Sequence, residues 1–281
     1  MEIQKDYSIF PPALKSKYRL FRKTAPKKVV RQPVLHPVEY RKFTLAKKVK
    51  LSPNVFEFVF ALADPSDVLG LPTGQHVAIR ADIDGKSVVR SYTPTSNDSD
   101  LGRLQLVIKV YPGGLLTNHL AAMEVGDQID IRGPKGSMKY HKDLCRNIGM
   151  IAGGTGITPM YQLIRAICED DSDNTNVSLI YANQTEDDIL LRRELDGFAA
   201  KCPHKFRVWY VLSTAPEGWQ YSTGFATKEL IEERFAPLSE DNKAMLCGPP
   251  GMINAMKNNL VALGYEKPSA VSKATDQIFA F

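Results

Sequence analysis

The sequence predicts a two-domain β + α/β protein: an antiparallel β-barrel followed by a Rossmann-like, parallel α/β domain. Three observations predict it. Short runs rich in β-branched and aromatic residues, separated by turn residues, fill the chain from about Phe43 to Lys139. Strand-like and helix-like segments alternate from about Cys145 to the end. A glycine-rich turn, Gly153-Gly154-Thr155-Gly156, separates the first strand of that second half from its first helix.

The elements follow in order. FVFAL, HVAIR, VVRSYT, LQLVIKVY and DQIDIRG read as strands. Asp64-Pro65, Pro72-Thr73-Gly74, Asp84-Gly85, Pro112-Gly113-Gly114 and Gly133-Pro134 are the turns between them. Several short strands at this spacing suit a closed antiparallel barrel, interrupted by one helix over Leu116–Met123. The second half opens with the strand NIGMIAGG and a helix over Pro159–Glu169. VSLIYAN, FRVWYVLS and KAMLCG are its later strands, followed by helices over Asp188–Ala200, Thr227–Phe235 and Gly251–Leu263. In such a sheet the ligand sits at the carboxyl ends of the strands.

The boundaries expected are a leader over 1–38, a barrel over 39–143 and an α/β domain over 144–281. Between Tyr7 and Val38 the leader carries Lys15, Lys17, Arg19, Arg22, Lys23, Lys27, Lys28 and Arg31 and no acid, and its prolines forbid one long helix. Two readings stand: a solvated, flexible leader, or a basic arm that touches an anionic membrane surface or an acidic protein.

Composition narrows the function classes. The 281 residues carry a formal net charge of +5, too modest to call for nucleic acid. Cys145, Cys168, Cys202 and Cys247 form no CxxC pair and have no histidine at zinc-finger spacing, so they read as reduced thiols. No HExxH or GxSxG motif is present, and no metal site is expected. No apolar run approaches membrane-helix length, so the chain is expected to be soluble.

Four segments carry chemistry. In Arg90-Ser91-Tyr92-Thr93-Pro94, strand alternation puts a diphosphate-pairing guanidinium and a ring-packing tyrosine on one face. Gly113-Gly114-Leu115-Leu116-Thr117 puts backbone amides and a helix N-terminus where an anion can approach. Gly153-Gly154-Thr155-Gly156-Ile157-Thr158-Pro159 follows a buried strand and opens a helix, where a phosphate-binding turn belongs, though it fits neither GxGxxG nor the Walker pattern. Cys247-Gly248-Pro249-Pro250-Gly251-Met252 lies at another strand's carboxyl end and so faces the same cleft; by spacing alone its cysteine is a small buried hydrophobe.

In this order, and with an aromatic C-terminus, the segments resemble the ferredoxin reductase-like superfamily, and within it the NADH–cytochrome b5 reductases and the flavin domain of nitrate reductase. Gly74-Gln75-His76, Ile131-Arg132-Gly133-Pro134-Lys135-Gly136, Tyr181-Ala182-Asn183-Gln184-Thr185, Asp188-Ile189-Leu190-Leu191 and Ala215-Pro216-Glu217-Gly218-Trp219 agree. The resemblance runs from about Glu39 to Phe281, and the ending is most like the fungal members.

The resemblance implies an FAD-binding barrel and an NAD(P)H-binding α/β domain, with flavin and nicotinamide meeting between them. It implies that Arg90, Ser91, Tyr92, Thr93, Val107, Lys109, Leu115, Leu116, Thr117 and Thr158 serve FAD. Gly154, Thr155, Gly156, Cys247, Gly248, Pro249 and Met252 serve the nicotinamide nucleotide. Thr93 is the expected hydrogen-bond partner near the hydride-accepting flavin nitrogen, and Cys247 the residue that positions the nicotinamide. The activity implied is hydride transfer from NADH to FAD, then single electrons to cytochrome b5 or a similar small haem protein. A monomer is expected, in the cytosol or at the cytosolic face of the endoplasmic reticulum or mitochondrial outer membrane.

Three positions depart from the pattern. Gly251 replaces a third proline, Leu115 a frequent lysine, and Ser213 the aspartate that in animal members bonds the ribose hydroxyls and repels a 2′-phosphate. Without that carboxylate, use of NADPH beside NADH is expected.

Overall fold

The computed structural model describes residues 33–281, and these form one compact unit. Most of the leader therefore lies outside the described residues. Its last part does not. Val34 and Leu35 N–H groups donate to the Val68 and Leu69 carbonyls at 3.1 Å, and Leu35 is buried in the barrel core. The barrel thus takes in chain that composition alone groups with the leader.

Six strands form the antiparallel sheet: β1 (Arg41–Ser52), β2 (Val55–Ala61), β3 (His76–Ile83), β4 (Lys86–Tyr92), β5 (Arg103–Lys109) and β6 (Gln128–Lys135). They pair in the order β4-β3-β6-β1-β2-β5. Alternate residues point inward, as period-2 patterning requires, so Phe43, Leu45, Phe58, Phe60, Val77, Ile79, Leu104 and Leu106 make the core. β4 and β5 are the two edges, and they are not paired along their length. The chain after β4 closes part of the seam: Thr95 N–H donates to the Gln105 carbonyl at 2.9 Å, and Ser96 Oγ accepts the Gln105 N–H at 2.9 Å. Helix α1 (Leu115–Ala122), with Gly114 as its N-cap, starts one residue before the expected start and buries Leu116 and Leu120 against the barrel.

The second sheet is parallel, with order β10-β9-β8-β7-β11-β12. Its strands are β7 (Asn147–Gly153), β8 (Asn176–Asn183), β9 (Phe206–Leu212), β10 (Ser222–Thr223), β11 (Asn242–Cys247) and β12 (Ile278–Ala280). Strand order reverses at β7, whose neighbours are β8 and β11. That reversal opens a crevice at the carboxyl ends, where ligands bind in open α/β sheets. Helices α2 (Ile157–Glu169), α3 (Arg192–Lys201), α4 (Lys228–Arg234) and α5 (Pro250–Ala262) cover the sheet. Helix α3 starts four residues later than the sequence suggests. Leu191 is left-handed, with φ 56°, and Asp188 instead accepts from Thr185, closing a tight turn. Thr227 caps α4, its side chain accepting from the Leu230 N–H at 3.2 Å.

The two sheets share one core, since Val55, Val107 and Met138 pack with Met160, Leu163 and Tyr181. Polar ties cross the same boundary. The buried Gln162 carboxamide of α2 accepts from Gly74 N–H at 2.7 Å and donates to the Gln75 carbonyl at 3.3 Å. Arg165 of the same helix pairs with Asp100 at 2.5 Å and donates to the Thr95 carbonyl. Burial opposes charge on Asp100, but bonds from Arg165, the Asn97 N–H and Arg103 outweigh it and hold the carboxyl below its usual range. No helix among the described residues is long and apolar enough to cross a membrane.

Candidate functional site

A cavity of about 800 Å³ lies where the open seam of the barrel meets the crevice of the parallel sheet. From the barrel come Arg90, Ser91, Tyr92 and Thr93 at the end of β4, Val107 and Lys109 of β5, and Leu115, Leu116 and Thr117 of α1. From the α/β side come Thr155, Gly156 and Thr158 after β7, and Cys247, Gly248 and Pro249 after β11. Because β4 and β5 do not pair, the cavity lies along the open seam between them.

A second cavity, of about 520 Å³, continues along the α/β sheet and holds Lys109, Gly154, Ser213, Pro249 and Met252. Every site residue expected from the sequence therefore lines one cavity or the other. Lys109, Gly153 and Pro249 line both, so the two spaces adjoin. Sequence reasoning gave no role to His76, Tyr111 and Phe281 in the first cavity or to Asn183, Asp188 and Phe225 in the second. The signals available for Asn183 were its position at a strand's carboxyl end and its place in the segment Tyr181–Thr185 that carries part of the resemblance.

The electrostatics suit an anionic ligand. Among the described residues no Asp or Glu side chain lines the larger cavity, whereas Arg90 does, with Lys109 beside it in an ion pair with Asp188. The first-turn N–H groups of α1 have no partner within the helix, and Gly114 brings that end close. Burial pushes the Tyr92 hydroxyl up to about 12, so it stays neutral and can donate. Burial likewise pushes the Cys247 thiol up to about 11, making it a neutral thiol rather than a thiolate. His76 is held below its ordinary value, first by burial and then by nearby Lys135.

The glycine-rich turn after β7 is built by close approach. A Cβ on Gly156 would lie 2.2 Å from the Cys247 carbonyl oxygen, so only glycine lets the turn after β7 touch the loop after β11. Gly154 adopts φ +53°, and its carbonyl accepts from the Tyr181 hydroxyl at 3.0 Å. Thr158 Oγ1 donates to the Thr155 carbonyl at 3.3 Å, which fixes the first turn of α2 beside the cavity.

Comparison with known proteins agrees with this layout. Residues 42–140 match the oxidoreductase FAD-binding domain, and residues 150–258 the oxidoreductase NAD-binding domain. The chain is 50% identical over 249 residues to NADH-cytochrome b5 reductase 1 of Candida albicans, covering 89% of this chain and 85% of that one. It is 49% identical over 262 residues to NADH-cytochrome b5 reductase 1 of Mortierella alpina, covering 93% and 86%. The cytochrome b5 reductase domain of Ulva prolifera nitrate reductase superposes with a TM-score of 0.83 at 37% identity, over 89% of this chain and 100% of that domain. With both cofactor domains matched and half of its residues shared across most of its length, the chain belongs to the NADH–cytochrome b5 reductase family of FAD- and NAD-binding oxidoreductases.

Proposed function

We propose that the chain carries electrons from NADH through FAD to cytochrome b5, with the larger cavity as the place where the two cofactors meet. One observation carries this reading: groups suited to a flavin and groups suited to a nicotinamide nucleotide line a single cavity from opposite sides, Thr93 from the barrel and Cys247 from the α/β sheet.

FAD, when bound, supplies the chemistry of accepting two electrons as a hydride and releasing them one at a time. The chain's part is binding, orientation and exclusion of water. Arg90 and the N-terminus of α1 hold the diphosphate, with Ser91, Thr117 and Thr158 as hydroxyl contacts and Leu115 and Leu116 as backbone donors. Tyr92 and Val107 pack against the flat ring, Lys109 adds a cation from β5, and the Thr93 hydroxyl bonds the ring edge. Gly154, Thr155 and Gly156 offer backbone N–H groups to the dinucleotide. Gly248, Pro249 and Met252 shape its path, and Cys247 sets the nicotinamide's distance. A neutral, buried thiol suits that packing role.

Purified protein is expected to be yellow and to bleach with NADH under anaerobic conditions, and to reduce cytochrome b5 as well as ferricyanide. Colourless protein that takes up no FAD would overturn the reading. Ferricyanide reduction without cytochrome b5 reduction would keep the flavin chemistry and remove the acceptor. The same reading puts the protein, as a monomer, in the cytosol or on the cytosolic face of the endoplasmic reticulum or mitochondrial outer membrane. The basic residues within 7–38 are its contact to anionic lipid, each contributing about 1 kcal/mol near such a surface. Unchanged binding to anionic liposomes at low salt after their deletion would remove that contact.

A further inference from the structure

Helix α2 links the two walls of the larger cavity, and one of its side chains has no part in the functional reading above. The helix begins at Ile157, directly after Thr155 and Gly156, which line the cavity from the α/β side. Its buried residues, among them Ile157, Met160, Ile164 and Ile167, seat it in the core. Arg165 lies eight residues on from Ile157, about 12 Å along the helix axis. Its guanidinium reaches out of the α/β domain and grips the barrel. Nη1 donates to the Asp100 carboxylate at 2.5 Å and to the Thr95 carbonyl at 3.2 Å. Nε donates to Glu169 of its own helix at 2.8 Å, which orients the fork. Glu169 also accepts from the Asn97 carboxamide at 3.1 Å.

The gripped segment is the one that follows Thr93. Thr95 is buried, and its N–H is held by the Gln105 carbonyl of β5. Asp100 is fixed in turn by Arg103 at 2.6 Å and by the Asn97 N–H at 3.0 Å. The Arg165 and Asp100 side chains are 17% and 9% exposed, so solvent screens the pair weakly. None of Arg165, Thr95 and Asp100 lines the cavity itself.

We propose that Arg165 is a positioning residue for hydride transfer, fixing the distance between Thr93 on the barrel and the glycine-rich turn at the start of α2. The inference rests on the cofactor placement proposed above. One helix carries both ends of the link, the turn at Thr155 and Gly156 and the grip at Arg165. Loosening the grip frees the Thr93–Thr95 segment to shift against that turn while both cavity walls stay intact. Gln162 still ties the helix to Gly74 and Gln75, so the two domains remain joined without Arg165. Transfer between two held reactants falls steeply with misplacement, about a hundredfold for 1 Å. Arginine suits the task because its planar fork meets several acceptors in fixed directions, which a lysine ammonium does not.

The test uses the FAD-loaded full chain with Arg165→Met, which keeps much of the side chain's length without its charge, and Arg165→Lys, which keeps the charge without the fork. Tyr210→Phe is the comparison for a purely structural loss, since it removes a 2.7 Å bond to Asp196 within the α/β domain. Stability is read by urea unfolding. Hydride transfer is read as anaerobic bleaching at saturating NADH, with and without deuterium at the transferred position. Ring stacking is read at equilibrium, without turnover, as the long-wavelength charge-transfer absorbance that appears when NAD+ is added to the reduced protein. In Arg165→Met, bleaching is expected to slow about 10–100-fold and to show an isotope effect, with weakened absorbance, KM for NADH nearly unchanged and FAD retained. Arg165→Lys is expected to recover part of the rate and of the absorbance. Tyr210→Phe is expected to lower the urea midpoint and leave both at wild-type values. A folded Arg165→Met protein with wild-type bleaching and absorbance overturns the proposal, and so does a raised KM with the saturated rate retained. Slowing without an isotope effect, or equal slowing in Tyr210→Phe, overturns it as well. Should the methionine variant not fold, wild-type rate and absorbance in Arg165→Lys overturn it. Failure of the wild-type flavin to be reduced by NADH overturns the cofactor reading itself and is seen separately.

Discussion

Lys109 Nζ lies 2.7 Å from Asp188 Oδ1, joining the end of the barrel's β5 to the turn after β8 of the α/β sheet at the rim of the smaller cavity. The hydrogen bond from Lys109 is the chief reason that the Asp188 carboxyl sits below its usual range. Because the folded carboxyl is more acidic than the unfolded one, the pair's stabilisation is complete above the ordinary value of 3.8 and is lost as pH falls through the lowered folded value. Both side chains are partly exposed, so solvent keeps the coupling to about 1 kcal/mol or less. A double-mutant cycle with Lys109→Met and Asp188→Asn, read by urea unfolding, is expected to show that coupling unchanged between roughly pH 6 and 8 and gone in strong acid. A coupling of zero at neutral pH would make the pair incidental to the junction.

Gly154 and Gly156 look alike in the motif but face different constraints. A side chain at Gly154 meets nothing within 4 Å and pays only for its φ of +53°. A side chain at Gly156 meets the Cys247 carbonyl carbon at 2.5 Å. Gly154→Ala is expected to cost about 1–2 kcal/mol of stability, from left-handed strain alone. Gly156→Ala is expected to cost about 1–3 kcal/mol from overpacking and, in addition, to lower kcat/KM for NADH strongly while FAD stays bound. Urea midpoints and NADH kinetics on both variants check this. Equal kinetic effects would mean that the contact between the two loops does not shape the nicotinamide site.

Cys247 is expected to act through its bulk and not its charge. With its thiol pushed up to about 11 by burial, no titration of this residue is expected in the pH profile of flavin reduction below about pH 9. Cys247→Ala is expected to retain FAD and measurable activity, with hydride transfer slowed about tenfold, or about 1.4 kcal/mol, by a misplaced nicotinamide. Anaerobic stopped-flow bleaching reads the step directly. A fully folded, FAD-loaded alanine variant with no reduction at all would demand a chemical role for the sulfur.

What was legible in the sequence was whatever repeats along it or carries glycine. Alternation of strand and helix announced the parallel sheet, and the turns at Gly113-Gly114 and Gly153–Gly156 marked two walls of the larger cavity. The residues that were missed act singly. Asn183 reads like any polar strand end until its burial is known, and Phe225, 81% exposed, like any surface aromatic until it is seen beside the cavity. The start of α3 was misplaced because Leu191 adopts a left-handed conformation that glycine or asparagine usually signals. Residues 33–36 were grouped with a basic leader by composition, yet Leu35 is buried and the His36 carbonyl accepts from the Gly133 N–H at 3.1 Å, a pairing distant in sequence.

Coenzyme preference is the prediction that turns on Ser213. Ser213 is exposed, lines the smaller cavity and has its N–H held by the Asn183 carbonyl. It has no charge with which to repel a 2′-phosphate. The only cation lining that cavity is Lys109, and Lys109 is occupied by Asp188, so nothing among the described lining residues is free to attract a phosphate either. NADH is therefore expected to be preferred, with NADPH used measurably. Ser213→Asp adds an acceptor for the ribose hydroxyls and a repulsion toward the phosphate. The ratio of kcat/KM for NADH over NADPH is expected to widen about tenfold or more, where each factor of ten is about 1.4 kcal/mol of differential transition-state binding. An unchanged ratio in Ser213→Asp would place position 213 away from the ribose and make the absence of an aspartate there irrelevant to coenzyme choice.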